Sequence, residues 1–200
     1  MSKFLKKSSG NSSKREGGSV RIIGGDLRSR KLNFPAVEGL RPTADRVRET
    51  LFNWLQLSVP AARVLDVFAG SGALGFEAAS RGASAVVMIE RDRDAANSLR
   101  ANKLSLDTTA VQIVEADALA WLRAPQANEQ FDVVFIDPPF DAQLHYQVAQ
   151  TLVASGCLTS GALVYIESAQ PLEAAQLPDN WQQWKFKKAG AVYSTLFVAN

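Results

Sequence analysis

The sequence predicts an α/β protein built on a doubly wound, mostly parallel sheet, and three observations carry that prediction. Short β-branched apolar runs (residues 64–67, 85–90, 110–114, 131–136 and 162–167) alternate with helical patterns, the signature of strand–helix–strand units. The first of these runs leads straight into a glycine-rich loop and then a helix. Four acids, Asp66, Glu90, Asp117 and Asp137, fall at or just after the ends of successive runs, and in a parallel sheet those ends form one crevice. A chain of 200 residues suits one domain that buries about 70% of its unfolded surface.

Taken in order, residues 1–19 are rich in Ser, Gly and Lys and read as a disordered basic tail. Residues 20–200 read as a single domain whose first part, 20–42, is a basic arm. Within the arm, residues 21–32 can form a short β-hairpin around Gly24-Gly25 that offers Arg21, Arg28, Arg30 and Lys31 to phosphates. Arg41 and Arg46 extend the same basic stretch. Residues 43–57 read as an amphipathic helix with Thr43 as N-cap after Pro42. Val47, Leu51, Trp54 and Leu55 should face the core, with Arg46, Arg48 and Glu49 more exposed or at the entrance of a site.

The strand at 64–67 runs into Phe68-Ala69-Gly70-Ser71-Gly72, with a helix beginning near Gly72. Gly70 and Gly72 allow close approach of backbone to a ligand, and Gly75 allows tight helix–strand packing. Glu90 closes the next strand 20 residues after Gly70, where a carboxylate can accept both hydroxyls of a ribose. Asp117 follows the third strand and can accept from an adenine amino group or cap the helix through Trp121 and Leu122. The fourth strand, 131–136, ends in Asp137-Pro138-Pro139-Phe140. Two prolines forbid both strand continuation and an immediate helix, leaving a stiff turn with a carboxylate on one side and an aromatic face on the other. Such a turn can hold a flat, amine-bearing ring. A helix over 142–154, a fifth strand over 162–167 and a closing hairpin (184–188 with 191–198) complete the sheet. His145 reads as a surface or capping residue, and Cys157 as a buried small hydrophobe.

Composition narrows the function classes. The single Cys157 forbids an internal disulfide and fits a reducing cytoplasm. No apolar stretch approaches the roughly 20 residues of a membrane span, and no His/Cys cluster suggests a metal site. The net charge of +2 hides an asymmetry. Residues 1–48 carry 12 Lys and Arg against 4 Asp and Glu, and residues 49–200 carry 10 against 16. A basic arm on an acidic body points to a polyanionic partner.

Together, Asp66-x-Phe68-x-Gly70-x-Gly72, Glu90, Asp117 and Asp137-Pro138-Pro139-Phe140 resemble the successive motifs of class I S-adenosylmethionine-dependent methyltransferases. The last of them is similar to the Pro-Pro-aromatic motif of enzymes that methylate exocyclic amines. The segment Arg41-Pro42-Thr43-Ala44-Asp45-Arg46 through Leu55 and the arm around Arg21 to Leu32 further resemble the bacterial 16S ribosomal RNA guanine-N2 methyltransferases of the RsmD type. The similarity spans about residues 20–199. It implies a Rossmann-like domain with a seven-stranded, mostly parallel sheet and a C-terminal antiparallel hairpin, with the basic β-hairpin arm added.

It implies S-adenosylmethionine as cofactor, with Asp66 at its amino-acid end, Glu90 on the ribose, Asp117 on the adenine, and Phe68, Gly70, Gly72 and Thr43 around it. Asp137, Pro138, Pro139 and Phe140 would take the target guanine of 16S RNA, Asp137 and the Pro138 carbonyl holding its amine and Phe140 stacking on its ring. The implied partner is 16S RNA within a small-subunit assembly particle, met by a cytoplasmic monomer. Adenine-N6 methylation, or methylation of another amino group, is the nearest alternative. A nicotinamide oxidoreductase would share the glycine loop and ribose acid but leave the Asp-Pro-Pro-Phe turn and the basic arm unexplained. A non-catalytic RNA-binding module would leave the four aligned acids unexplained.

Overall fold

A computed structural model describes residues 17–37, 44–124, 129–139 and 142–200. Seven strands form the main sheet: β3 (Arg63–Asp66), β4 (Ala85–Glu90), β5 (Val111–Glu115), β6 (Phe131–Ile136), β7 (Leu158–Ser168), β8 (Trp181–Ala189) and β9 (Val192–Ala199). Their spatial order is β5-β4-β3-β6-β7-β9-β8. The first five run parallel, and β9 is antiparallel to both β7 and β8. The chain winds outward from β3 to β5, then crosses to the other side of β3 at β6. That reversal opens a crevice at the carboxyl ends of β3 and β6.

Helices cover both faces. On one face lie α1 (Asp45–Trp54), α2 (Ala73–Ser80) and α3 (Arg93–Leu106), packed with Phe52, Phe76, Phe135 and Tyr165 into a continuous apolar layer. The other face is covered by α4 (Ala118–Arg123) and α5 (Ala142–Ser155), whose Leu122 and Val148 share a core with Phe131, Val134 and Phe197. No described helix is long and apolar enough to cross a membrane.

The basic arm is a two-stranded antiparallel ribbon, β1 (Gly18–Arg21) with β2 (Lys31–Phe34). Gly18 and Ser19, assigned by sequence to the tail, pair within it. The sequence also placed the hairpin turn at Gly24-Gly25; the loop instead spans residues 22–30 and docks on the end of α2. Ile23 and Gly24 donate backbone N–H bonds to the Glu77 carboxylate at 2.7 and 2.8 Å, and Asp26 donates to the Ser80 carbonyl. Gly25 has φ +74°, and a Cβ there would lie 1.7 Å from the Ser80 carbonyl oxygen, so only glycine permits this approach.

Helix α1 departs from expectation in four ways. It ends at Trp54 rather than 57, leaving Leu57 89% exposed. Ala44 occupies its N-cap without a side-chain bond, whereas Thr43, the expected cap, lies outside the described residues. Arg48, expected to be exposed, is fully buried. It shares a helical face with Phe52 and Leu55, both of which are also buried, because the arm lies over that side of the helix. Its guanidinium donates to the Arg21 carbonyl at 2.9 Å and to Asp45 at 2.7 Å, and sits 3.6 Å from the equally buried carboxylate of Glu77. Trp54 is only partly buried, and Phe52 takes its place in the core.

Candidate active site

The carboxyl ends of the parallel strands open into one cavity of about 820 Å³, within the ~300–1,000 Å³ typical of small-molecule sites. Register determines which side chains reach it. Asp66 is level with Met88 and Phe135, and Ile136 is level with Ile166. Level residues of parallel neighbours share a face, and so do residues two apart. Asp66, Glu90 and Glu167 therefore stand on the α1–α3 face. Asp137, the first residue past β6, comes up beside Glu167. All four line the cavity.

Asp66 is 1% exposed and accepts the Gly75 N–H at 3.0 Å. Burial above all, then the charge of Asp137, pushes its carboxyl up to about 7. Glu90 accepts the Gly70 N–H on one oxygen at 2.9 Å and the Asp92 N–H on the other at 2.8 Å, which ties the glycine loop to the end of β4. Phe68, Gly70 and Ser71 form that wall of the cavity, with Gly70 at φ +51°. Gly72, expected against a ligand, stands behind the wall and is absent from the lining. It caps α2 at φ +79°, and a Cβ there would lie 2.6 Å from Leu99. Gly75 packs on Met88 as foreseen. Asp117 caps α4 by accepting the Ala120 N–H at 2.9 Å, as the capping reading expects, and also lines the cavity. Pro138 is buried and Pro139 exposed, and both line the cavity. Phe140, Thr43 and Arg41 lie outside the described residues.

Sequence reasoning missed Glu167. It ends an apolar run just as the other acids do, so the signal was present. Tyr165 donates its hydroxyl to Glu167 at 3.1 Å and is 3.0 Å from the Ser194 hydroxyl. Burial and the Asp137 charge raise the Glu167 carboxyl to about 8. His145, expected at the surface, is 4% exposed, and its Nε2 lies 2.7 Å from the Glu167 carbonyl oxygen. The helix after the proline turn is thus fastened to the end of β7. Burial and the single charge of Asp137 raise both Asp66 and Glu167, which makes the crevice one matched to a cationic ligand.

The arm's basic residues divide. Arg46 is exposed on the first turn of α1, next to Ala44, which lines the cavity. Arg28, Arg30 and Lys31 are exposed at the far end of the molecule. Arg30 donates to the Ser105 carbonyl at the end of α3, about 20 Å of helix from the cavity-lining Asp92. Arg21 donates to the Ser29 carbonyl at 2.9 Å within the ribbon.

The family described as Conserved hypothetical protein 95 matches residues 20–198. The ribosomal RNA small subunit methyltransferase D of Haemophilus influenzae is 43% identical over 182 residues, covering 90% of this chain and 94% of that protein. Its namesake in Escherichia coli is 43% identical over 180 residues, 90% of each. The chain belongs to this family. A solved structure described as the putative methyltransferase yhhF from Escherichia coli superposes with a TM-score of 0.84 at 42% identity, covering 92% of this chain and 99% of that one. The family match takes in most of the ribbon, the α1 segment and nearly all of the C-terminal hairpin as well as the central sheet.

Proposed function

We propose that the chain transfers a methyl group from S-adenosylmethionine to the exocyclic N2 of a guanine in 16S ribosomal RNA. It acts as a cytoplasmic monomer on a small-subunit assembly particle. One observation carries the choice of base: two acidic side chains, Asp137 and Glu167, stand together at the mouth of β6 and β7. The Watson–Crick edge of guanine offers three donor hydrogens in a row, two on N2 and one on N1. Adenine offers two on N6, then an unprotonated N1. With Glu167 ionised, the adjacent carboxyls match the first pattern, so guanine binding should release the proton that Glu167 holds in the free protein, and a site built for a donor strongly rejects a base that lacks it.

The cavity fits the cofactor by its donor set. Asp66 is a buried carboxyl suited to an ammonium, Glu90 has each oxygen oriented by a backbone N–H, and Asp117 stands beyond the third strand. Bound S-adenosylmethionine supplies a methyl group activated by its sulfonium. The protein's own contribution is positioning. Asp137 and the Pro138 carbonyl accept from the guanine amine, draw its nitrogen out of conjugation and aim its lone pair. Catalysis of this kind rests on orientation and preorganised charge. Phe140 stacks on a base swung out of its RNA context.

The raised carboxyl of Asp66 has a measurable consequence. Below about 7 it carries a proton in the free protein, and a cationic ligand favours the ionised form. S-adenosylmethionine binding at pH 6 should therefore release close to one proton, and its affinity should rise with pH until about pH 7. Calorimetry in two buffers of different ionisation enthalpy reads the proton directly; no buffer dependence would remove Asp66 from the cofactor site.

The reading as a whole is tested by methyl transfer from labelled S-adenosylmethionine to small-subunit particles and protein-free RNA from a strain lacking this gene. Label should enter the small-subunit RNA, and the particle should be the better acceptor. Cofactor binding with no label in either RNA would overturn it.

A further inference from the structure

The edge strand β8 displays seven consecutive exposed residues, 182–188. Among them Trp184 is 48% and Phe186 51% exposed, interleaved with Lys185, Lys187 and Lys188. These lysines sit in an acidic setting. Residues 49–180 carry 7 Lys and Arg against 16 Asp and Glu, whereas residues 181–200 carry three lysines and no acid.

The strand also leads to the site. Lys187 pairs with Ser194, and Ser194 pairs with Glu167. The hairpin tip residues Ala191 and Val192 line the cavity. Pleating sends Lys185 and Lys187 toward α1, where Lys187 donates to the Thr50 hydroxyl at 2.9 Å. Phe186 and Lys188 point the other way. The Phe186 and Tyr193 rings are 6.2 Å apart, and the Lys188 ammonium lies 4.7 Å from the centre of the Tyr193 ring.

Lysines alone on an edge strand are explained by protection against strand pairing between molecules. An exposed Trp and Phe work against that protection, so the combination needs another reason. Cations interleaved with half-exposed aromatic rings, the Lys185 ammonium lying 5.1 Å from the centre of the Trp184 ring, are what single-stranded nucleic acid binds, through phosphate neutralisation and base stacking.

We propose that β8 is a second RNA-docking surface, a track for the single-stranded segment flanking the target base, running from the mouth of the cavity along the edge of the sheet. This rests on the RNA-methylating reading above and adds the surface that reading lacks, since Arg28, Arg30 and Lys31 lie at the far end from the cavity.

The test uses the intact protein with two multiple variants, Trp184→Ala/Phe186→Ala and Lys185→Ala/Lys187→Ala/Lys188→Ala. Melting temperature and S-adenosylmethionine affinity should stay at the wild-type values, because these side chains lie outside the core and the cavity. The KM for small-subunit particles should rise about tenfold in the aromatic variant, with kcat little changed. In the lysine variant the slope of log KM against log salt should flatten by about 2, from the three lost phosphate contacts.

Affinity for a mixed-sequence single-stranded RNA, measured by fluorescence anisotropy, should fall in both variants. This readout needs no methylation, so it stands apart from failure of the catalytic reading. Wild-type KM, salt slope and RNA affinity in both variants would overturn the proposal. So would RNA affinity that is unchanged while a protein from the particle loses its hold, which would make β8 a protein-docking edge.

Discussion

Replacing Asp137 with alanine should lower kcat for methyl transfer by about 10²–10³-fold, the loss expected when one preorganised polar group is removed from a reacting centre. Asp137 lines the cavity but is not the buried carboxyl proposed for the cofactor's ammonium, so S-adenosylmethionine should still bind. The substitution carries a second signature. The charge of Asp137 raises both Asp66 and Glu167, so removing it should bring both carboxyls down toward ordinary values. The pH at which proton release on cofactor binding disappears should move down with them. Single-turnover kinetics checks the first effect and calorimetry the second. A full-speed Asp137→Ala enzyme would exclude the proposed geometry.

The largest stability effect is expected at Glu77. Its carboxylate accepts from Ile23, Gly24 and the Arg81 Nε, the last at 2.7 Å, and faces Arg48, with both side chains of the Arg48–Glu77 pair fully buried. Removing Glu77 takes away Arg48's buried counter-charge, leaving it the exposed Asp45 carboxylate, and deprives the Ile23 and Gly24 N–H groups of their acceptor, at a cost of about 3–5 kcal/mol. Glu77→Ala should therefore lower Tm by about 10 °C for a chain of this size. The double variant Arg48→Met/Glu77→Gln should be more stable than Glu77→Ala, since it removes the buried guanidinium together with its buried counter-charge and keeps an amide oxygen to accept from the arm. Additive losses in a double-mutant cycle would show that the two side chains do not act as a pair.

The central sheet was readable because its strands are self-contained signals. The runs at 85–90 and 131–136 are continuous, β-branched and bounded by turn residues, and β4 and β6 have those limits. Strand β7 begins at Leu158 rather than 162: Leu158 pairs with Phe131, and Thr159, Ser160 and Gly161 form an irregularity before the ladder resumes at Leu163 opposite Val133, with no apolar pattern to mark that start. The acids at strand ends were legible for the same reason as the strands, and Glu167 obeyed the same rule without being used.

What sequence could not supply were pairings across long separations. Arg48 reads as exposed because arginine is rarely buried, and its partners sit on the arm and on α2. His145 looked superficial because the carbonyl that fixes it belongs to another strand. Gly24-Gly25 looked like a hairpin turn, the common use of that dipeptide. The constraint there is instead the close approach of the arm to Ser80, which only the folded chain creates.

The claim on which the rest depends is that paired carboxyls at the ends of β6 and β7 select a guanine amine. The most direct measurement is the mass of the nucleoside that acquires the label when wild-type protein and S-adenosylmethionine act on small-subunit particles from a strain lacking the gene. N2-methylguanosine is the predicted product. N6-methyladenosine would contradict it, leaving an amine methyltransferase whose second carboxyl does not read the base.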